Sequence, residues 1–177
     1  MRLLTLLLLT AALDALLLDI AQTTHYSEPG DCGELTWAAT ARLQASGFQA
    51  RNASVLTLDT WDLVNNGHWL NEVWHPRFAS WVVVDFSTDR LYGQTLWGFV
   101  QQRGAYETLT DTPALPGYDD SLGIFADMNA FYDRVGQVAL IASGNTLWFG
   151  DHANRERIAS YAPSYAFDSH FIDHFYR

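Results

Sequence analysis

The sequence predicts an α+β fold, in which two helices come first and a group of strands follows. Two apolar segments with helical spacing begin the chain, one from Leu3 and one from Cys32 to about Ser46. Three stretches rich in β-branched and aromatic residues then follow with no helical pattern between them, at residues 48–58, 68–74 and 81–86. Helices followed by a run of strands are typical of the α+β class.

The bulk composition indicates one globular domain spanning residues 1–177. The chain has 177 residues, of which 49% are apolar and 17% charged. Its 20 acidic residues outnumber 10 basic residues, all arginine, for a net charge of −10. Because phosphate backbones are bound through clustered basic residues, no nucleic-acid partner is expected.

The leading apolar run, residues 3–18, has two interpretations. It is similar to a signal peptide, with Arg2 before it and small residues near a possible cleavage point at Ala15. Alternatively, it is a buried first helix that continues to Ala21. Asp14 interrupts the run, which falls short of the roughly 20 residues of a membrane span, so no stable span is expected. A cytoplasmic location is favoured over export, because cleavage after Ala15 leaves only a short helix.

The second helix has clear local signals at both ends. Pro29 and Gly30 lie in a loop before Cys32, and Gly47 follows the last helical positions. One face of this helix is apolar, at Leu35, Ala38, Ala39 and Leu43. We therefore expect a helix that begins at Cys32 and packs through this face.

The next strands predict an antiparallel hairpin. Residues 68–74 and 79–85 form its two strands, and the four residues from His75 to Phe78 close it, since Pro76 favours a turn. In this register His68 lies directly opposite Asp85, with Cβ atoms about 4.5–5.5 Å apart on the same face. A slip of one residue moves Asp85 to the other face.

The pattern after the hairpin is weaker and predicts a helical and irregular extension. Residues 87–120 contain many glycines and prolines and are expected to be mostly irregular. From Ser121, apolar residues recur at intervals of three and four as far as Ala142, which predicts a long helix that ends at Gly144.

Cys32 is the single cysteine, so it forms no internal disulfide. At the start of a helix, unpaired backbone N–H groups and the helix dipole favour the thiolate, which is the reactive form. An alternative is a small buried side chain without chemistry. A carboxylate at Asp85 that orients His68 makes the catalytic interpretation stronger, since the three residue types form a thiol–imidazole–carboxylate set.

Three ordered segments resemble the transglutaminase-like superfamily of papain-like cysteine enzymes. The Cys segment runs through residues 30–35 and 47–51, the His segment is residues 68–74, and the Asp segment is residues 81–85. The resemblance covers about residues 16–90. It implies that these residues are the core of the domain and that residues of about 91–177 are a C-terminal elaboration. It implies a papain-like α+β core, in which the Cys helix packs on an antiparallel sheet that carries His68 and Asp85.

The resemblance also implies a role for each residue. Cys32 is the expected nucleophile, His68 the general base and then acid, and Asp85 the residue that orients His68. The backbone N–H of Cys32 forms half of an oxyanion hole, and Tyr26 or Gln22 are candidates for the other half. Trp69 and Trp74 are expected to wall the groove next to His68.

Such a site acts on amide bonds through an acyl-thioester. Hydrolysis or deamidation of a peptide or protein substrate is the favoured reaction, with transamidating crosslinking and a catalytically silent binding module as alternatives. No cofactor is expected. His170 and His174 have helical metal-ligand spacing, but no catalytic Glu lies between them, and we expect no metal site. His75 as an alternative base falls in the predicted turn, and Glu72 is expected to meet Arg77 or solvent.

Overall fold

The computed structural model describes residues 2–23, 32–56, 67–110, 132, 137–142, 145–149 and 166–167. Within this part of the chain the helices are α1 (Arg2–Thr23), α2 (Cys32–Ala45) and α3 (Leu96–Gln101). The strands are β1 (Ala50–Leu56), β2 (Gly67–His75), β3 (Ser80–Asp85), β4 (Arg90–Tyr92), β5 (Tyr106–Thr108), β6 (Gln137–Ala142), β7 (Asn145–Phe149) and β8 (Ala166–Phe167).

The described strands form one sheet in the order β5-β4-β3-β2-β1-β6-β7-β8. Neighbouring strands are antiparallel except for β7 and β8, which are parallel. Helices packed on a mainly antiparallel sheet confirm the α+β class.

The helix α2 begins and ends where the sequence predicts. Gly47, just after its last turn, has φ of 84°, a conformation that costs glycine little because it has no Cβ. Phe48 N–H donates to the Leu43 carbonyl at 3.0 Å, which returns the chain towards β1. The helix is thereby closed and the first strand starts at Ala50.

The helices α1 and α2 and one face of the sheet share a hydrophobic core. From α1 the core takes Leu13, Leu17, Ile20 and Ala21, spaced by three and four residues as a helix face requires. From α2 and the strands it includes Leu35, Ala39, Leu43, Ala50, Val73, Val82 and Val84. The core therefore fixes α2 against the centre of the sheet.

The two halves of α1 differ in their surroundings. The second half is packed in the core, and Asp14 binds the buried His75 on β2 with 2.9 Å between Oδ1 and Nε2. In the first half, Leu3, Leu4 and Leu6 to Leu9 are exposed. The segment Leu3–Thr23, of mean hydropathy 2.2, is long and apolar enough to cross a membrane, a test that a signal sequence or a core helix also passes. Both interpretations of this run stay open.

The predicted register of the β2–β3 hairpin is wrong by two residues. Trp74 lies opposite Trp81, and His75 lies opposite Ser80. His75 is therefore the last residue of β2 and not part of the turn, because its side chain is held by Asp14 and buried. The turn occupies residues 76–79, where Ala79 has φ of 48°. A shift of two residues keeps the same side chains on each face.

The prediction of a helical and irregular extension is wrong for the described residues. The strands β4 and β5 and the helix α3 lie within 87–120, and residues 137–142 form β6 instead of the end of a long helix. The run from Val138 to Ala142 is short and continuously apolar, so its pattern fits a helix or a strand. Antiparallel pairing with β1 decides for the strand. The predicted start of that helix at Ser121 lies outside the described residues.

Candidate active site

Cys32 is the first residue of α2, and its side chain is buried. The first turns of α2 are held to β2 by Asn71, whose Nδ2 donates to the Thr36 carbonyl at 3.1 Å and to Thr40 Oγ1 at 2.6 Å. Asn71 is itself fully buried. The start of the helix, and Cys32 with it, is therefore held beside the strand that carries His68.

His68 is the second residue of β2 and lies opposite Val55 of β1. Its side chain is 1% exposed, and its Nε2 lies 3.1 Å from Asp85 Oδ1. Asp85 is the last residue of β3 and is fully buried. The structure thus brings together the imidazole and the carboxylate that the sequence paired, although by a different register.

Asp85 accepts four hydrogen bonds, two on each oxygen. Oδ1 accepts from His68 Nε2 and from the Ser87 backbone N–H at 3.0 Å. Oδ2 accepts from Thr88 Oγ1 at 2.6 Å and from the Tyr132 hydroxyl. A carboxylate with this many donors is stabilised in its charged form even when it is buried.

The electrostatics of the pair favour an imidazolium beside a carboxylate. Burial alone lowers the pKa of His68, but the charge of Asp85 and its hydrogen bond, with smaller contributions from Cys32, raise it to about 10. Burial alone raises the pKa of Asp85, but the charge and hydrogen bond of His68 and the hydrogen bonds of Thr88 and Tyr132 lower it. Both groups are therefore charged at neutral pH.

Cys32 is coupled to the same imidazole. A hydrogen bond and a charge interaction with Cys32 both contribute to the raised pKa of His68. The same imidazole is held by Asp85 through Nε2. All three residues that the sequence singled out therefore interact in one chain, from sulfur through imidazole to carboxylate.

Tyr132 is a site residue that sequence reasoning missed. Besides donating to Asp85, its ring makes an edge contact with His68, with 6.1 Å between centroids. Phe99 of α3 and Tyr92 of β4 pack on Tyr132 at 4.9 and 6.2 Å. Nothing in the sequence near Tyr132, which is 47 residues from Asp85, indicates the contact between them.

Ser87 and Thr88 were also missed, but they have a local signal. An aspartate followed two and three residues later by donors commonly forms a turn in which its side chain accepts their hydrogen bonds. The stretch from Asp85 to Thr88 has this form.

The two tryptophans that were predicted to wall the groove lie in different parts of β2. Trp69 is half-buried and packs against Trp37 of α2 with 6.0 Å between ring centroids. Trp74 is six residues from His68 along β2, about 20 Å at 3.3 Å per residue, so the prediction that it flanks His68 is wrong. Trp74 packs against Trp81 instead.

The two predicted oxyanion donors are not brought to the site by any described contact. Gln22 lies in the last turn of α1 with an exposed side chain. Tyr26 lies outside the described residues, as do His170 and His174. Among the described residues, no group of three or more His, Cys, Asp or Glu side chains could hold a metal ion.

Glu72 lies elsewhere than either sequence interpretation placed it. It is fully buried, and its Oε2 accepts from Arg51 Nε at 2.8 Å, while Arg77 pairs with Glu107. Glu72 Oε1 accepts from the Leu96 backbone N–H at 2.7 Å. Glu72 therefore joins β1, β2 and the start of α3.

Comparison with known proteins gives one match. No curated protein and no solved structure matches the chain. Residues 17–86 match the model of the transglutaminase-like superfamily, so the predicted resemblance is confirmed over this stretch, which contains Cys32, His68 and Asp85.

Proposed function

We propose that this protein is a transglutaminase-like thiol enzyme that acts on amide bonds. In this proposal Cys32 is the nucleophile, and Asp85 is the residue that holds His68. His68 is the general base that takes the proton of Cys32 and then the general acid that gives this proton to the leaving nitrogen. The observation that carries the proposal is the buried His68–Asp85 pair, whose raised pKa of about 10 at His68 includes a contribution from Cys32. An imidazolium that is charged at neutral pH, next to a helix-start thiol, is the arrangement that favours a thiolate.

The proposed acylation proceeds in two steps. The Cys32 thiolate attacks the carbonyl carbon of the amide, and the carbonyl oxygen takes up the electron pair as an oxyanion. The backbone N–H of Cys32, at the start of α2, supports the oxyanion. The His68 imidazolium then gives its proton to the leaving nitrogen, the C–N bond breaks, and an acyl-thioester remains on Cys32.

The deacylation reverses these roles. Neutral His68 removes a proton from water, the hydroxide attacks the thioester carbonyl, and the C–S bond breaks to release a carboxylic acid. Asp85 stabilises the imidazolium whenever it forms. These steps use only groups of the chain and water. They give hydrolysis of a peptide bond, or deamidation when the leaving group is ammonia from a side-chain amide of a peptide or protein.

The first test is the pH profile of thiol alkylation. Iodoacetamide should modify Cys32 at mildly acidic pH, and faster than it modifies free cysteine. Because Cys32 is the only cysteine, intact-protein mass spectrometry reports its labelling without ambiguity. The Cys32→Ser variant is the control. A thiol that reacts no faster than free cysteine at acidic and neutral pH contradicts the proposal.

The second test is acylation by p-nitrophenyl acetate. We expect one equivalent of nitrophenol in a fast phase, together with the mass increase of a single acetyl group that hydroxylamine removes. A binding module on the same scaffold gives neither signal. Loss of both signals in Cys32→Ser assigns the acyl group to the thiol.

The acceptor is then identified with a glutamine-containing peptide and a labelled primary amine. Ammonia release without incorporation of the label supports deamidation. Incorporation of the label supports the transamidating alternative. The chain contains no lysine, so no lysine side chain of this protein competes with the supplied amine for the acyl group.

A further inference from the structure

The hydrogen bonds around Asp85 fill the acceptor positions of its carboxylate. An ionised carboxylate offers about four lone-pair positions. His68 and Ser87 occupy those of Oδ1, and Thr88 and Tyr132 occupy those of Oδ2. A proton on Asp85 therefore displaces one of four existing bonds.

Tyr132 differs from the other three donors. Ser87 and Thr88 are next to Asp85 in sequence, and His68 is across the hairpin. Tyr132 comes from 47 residues further along the chain, and its side chain is 6% exposed. Its ring also lies edge-on against His68, so one residue contacts both members of the pair.

The Tyr132 hydroxyl is a lasting donor. Burial, with the neighbouring charge of Asp85 and the hydrogen bond to it, raises the pKa of Tyr132 well above its ordinary value. The phenol therefore keeps its proton over the whole working range of pH. Asp85 is fully buried, and a hydrogen bond to a buried charge is stronger than one in water.

We propose that Tyr132 is a positioning residue of the active site, which keeps Asp85 ionised and aligned with His68 through its hydroxyl and shields the pair through its ring. The inference rests on the proposed function, because it assigns a task within that site. Tyr132 acts through Asp85 and His68, so its removal should affect the rate of the chemistry and not the binding of substrate.

The test is Tyr132→Phe, which removes the hydroxyl and keeps the ring. With one donor fewer, Asp85 takes up a proton at higher pH. We expect the acid limb of iodoacetamide alkylation to move up by about one pH unit, the size of effect expected for one hydrogen bond to a charge. With p-nitrophenyl acetate we expect kcat to fall about tenfold and KM to stay the same.

Tyr106→Phe is the matched control. Tyr106 is an exposed tyrosine of β5, whose ring packs on Tyr92 and on the Arg90 guanidinium. The variant should keep the wild-type pH profile and kcat. Thr88→Val is the second test variant, because it removes the other hydroxyl from the same oxygen of Asp85 and should shift the acid limb in the same direction.

Thermal unfolding identifies variants that fail to fold, and if Tyr132→Phe is one of them, Thr88→Val decides. A folded Tyr132→Phe with the wild-type acid limb and kcat overturns the inference while leaving the proposed function in place. If the wild type neither alkylates nor acylates, the proposed function fails. The inference is then judged from the NMR signal of the His68 Nε2 proton during acid titration. As the pH falls and Asp85 takes up a proton, this signal should disappear at a higher pH in Tyr132→Phe than in wild type. An unchanged signal overturns it.

Discussion

His68 and Asp85 bind each other diagonally across the β2–β3 hairpin, with 3.1 Å between Nε2 and Oδ1. The ladder places Asn71 opposite Val84, so Asp85 continues it two residues away from His68. Diagonal neighbours on one face are about 7–8 Å apart at the backbone, within reach of long side chains. The length of the imidazole therefore closes this gap.

Replacement of Asp85 by asparagine should remove the charge that holds the His68 imidazolium while keeping the shape of the side chain. We expect the rate of Cys32 acylation by p-nitrophenyl acetate to fall by about 10²–10⁴-fold, the range of a general acid–base contribution. The alkylation of Cys32 at mildly acidic pH should fall to the rate of free cysteine.

The matched control for this variant is Asp14→Asn. Asp14 also binds a buried histidine, His75, but in the contact between α1 and the far end of β2. It should leave the acylation rate unchanged. Equal losses in the two variants show a general effect on the fold and contradict the assigned role of Asp85.

The stability of the protein should fall at alkaline pH through His68. The pKa of His68 is about 10 in the folded protein and near 6.5 when unfolded, so its contribution is complete below pH 6.5 and is lost as the pH rises to about 10. Denaturant unfolding at a series of pH values measures this loss. The Asp85→Asn variant should show a smaller decline over the same window, and an equal decline in both proteins argues against the raised pKa.

The elements around Cys32 could be predicted because their signals are local. The Pro29-Gly30 sequence before Cys32, the apolar face of α2 and Gly47 all lie within or close to the helix whose ends they predict. The face of the sheet on which Asp85 lies could also be predicted, because only a shift of the hairpin register by an odd number of residues changes it. The register itself could not, because it depends on Asp14 holding His75 from another element.

The contact of Tyr132 with the site and the positions of the C-terminal strands could not be predicted, for a different reason. The contact between Tyr132 and Asp85 and the pairing of β6 with β1 join residues far apart in sequence. The apolar run in β6 has the same local pattern in a helix as in a strand. The pairing of β6 with β1 decides between the helix and the strand.

Asn71 should contribute to stability by holding α2 on the sheet. Asn71→Leu keeps the volume but removes the bonds to the Thr36 carbonyl and Thr40 Oγ1, and leaves these polar atoms in a buried contact. We expect a loss of about 1–3 kcal/mol in the free energy of unfolding, measured by urea denaturation. Because Cys32 begins the same helix, its alkylation rate should fall as well. A variant as stable as wild type contradicts the role of Asn71.

The buried ion pair between Arg51 and Glu72 gives a prediction that a double variant can test. Glu72 Oε2 lies 2.6 Å from Arg51 Nη2, and the side chains are 0% and 11% exposed. Glu72→Leu leaves the Arg51 charge buried against Trp81 and removes the acceptor of the Leu96 N–H, so we expect a loss of about 3–5 kcal/mol in the free energy of unfolding.

Arg51→Met combined with Glu72→Leu removes both charges and should recover much of that loss, because an apolar pair needs no compensation for desolvation. Urea denaturation of the wild type, both single variants and the double variant gives the coupling energy directly. Losses that simply add show that the two charges do not stabilise each other, and the assignment of Glu72 as the partner of Arg51 then fails.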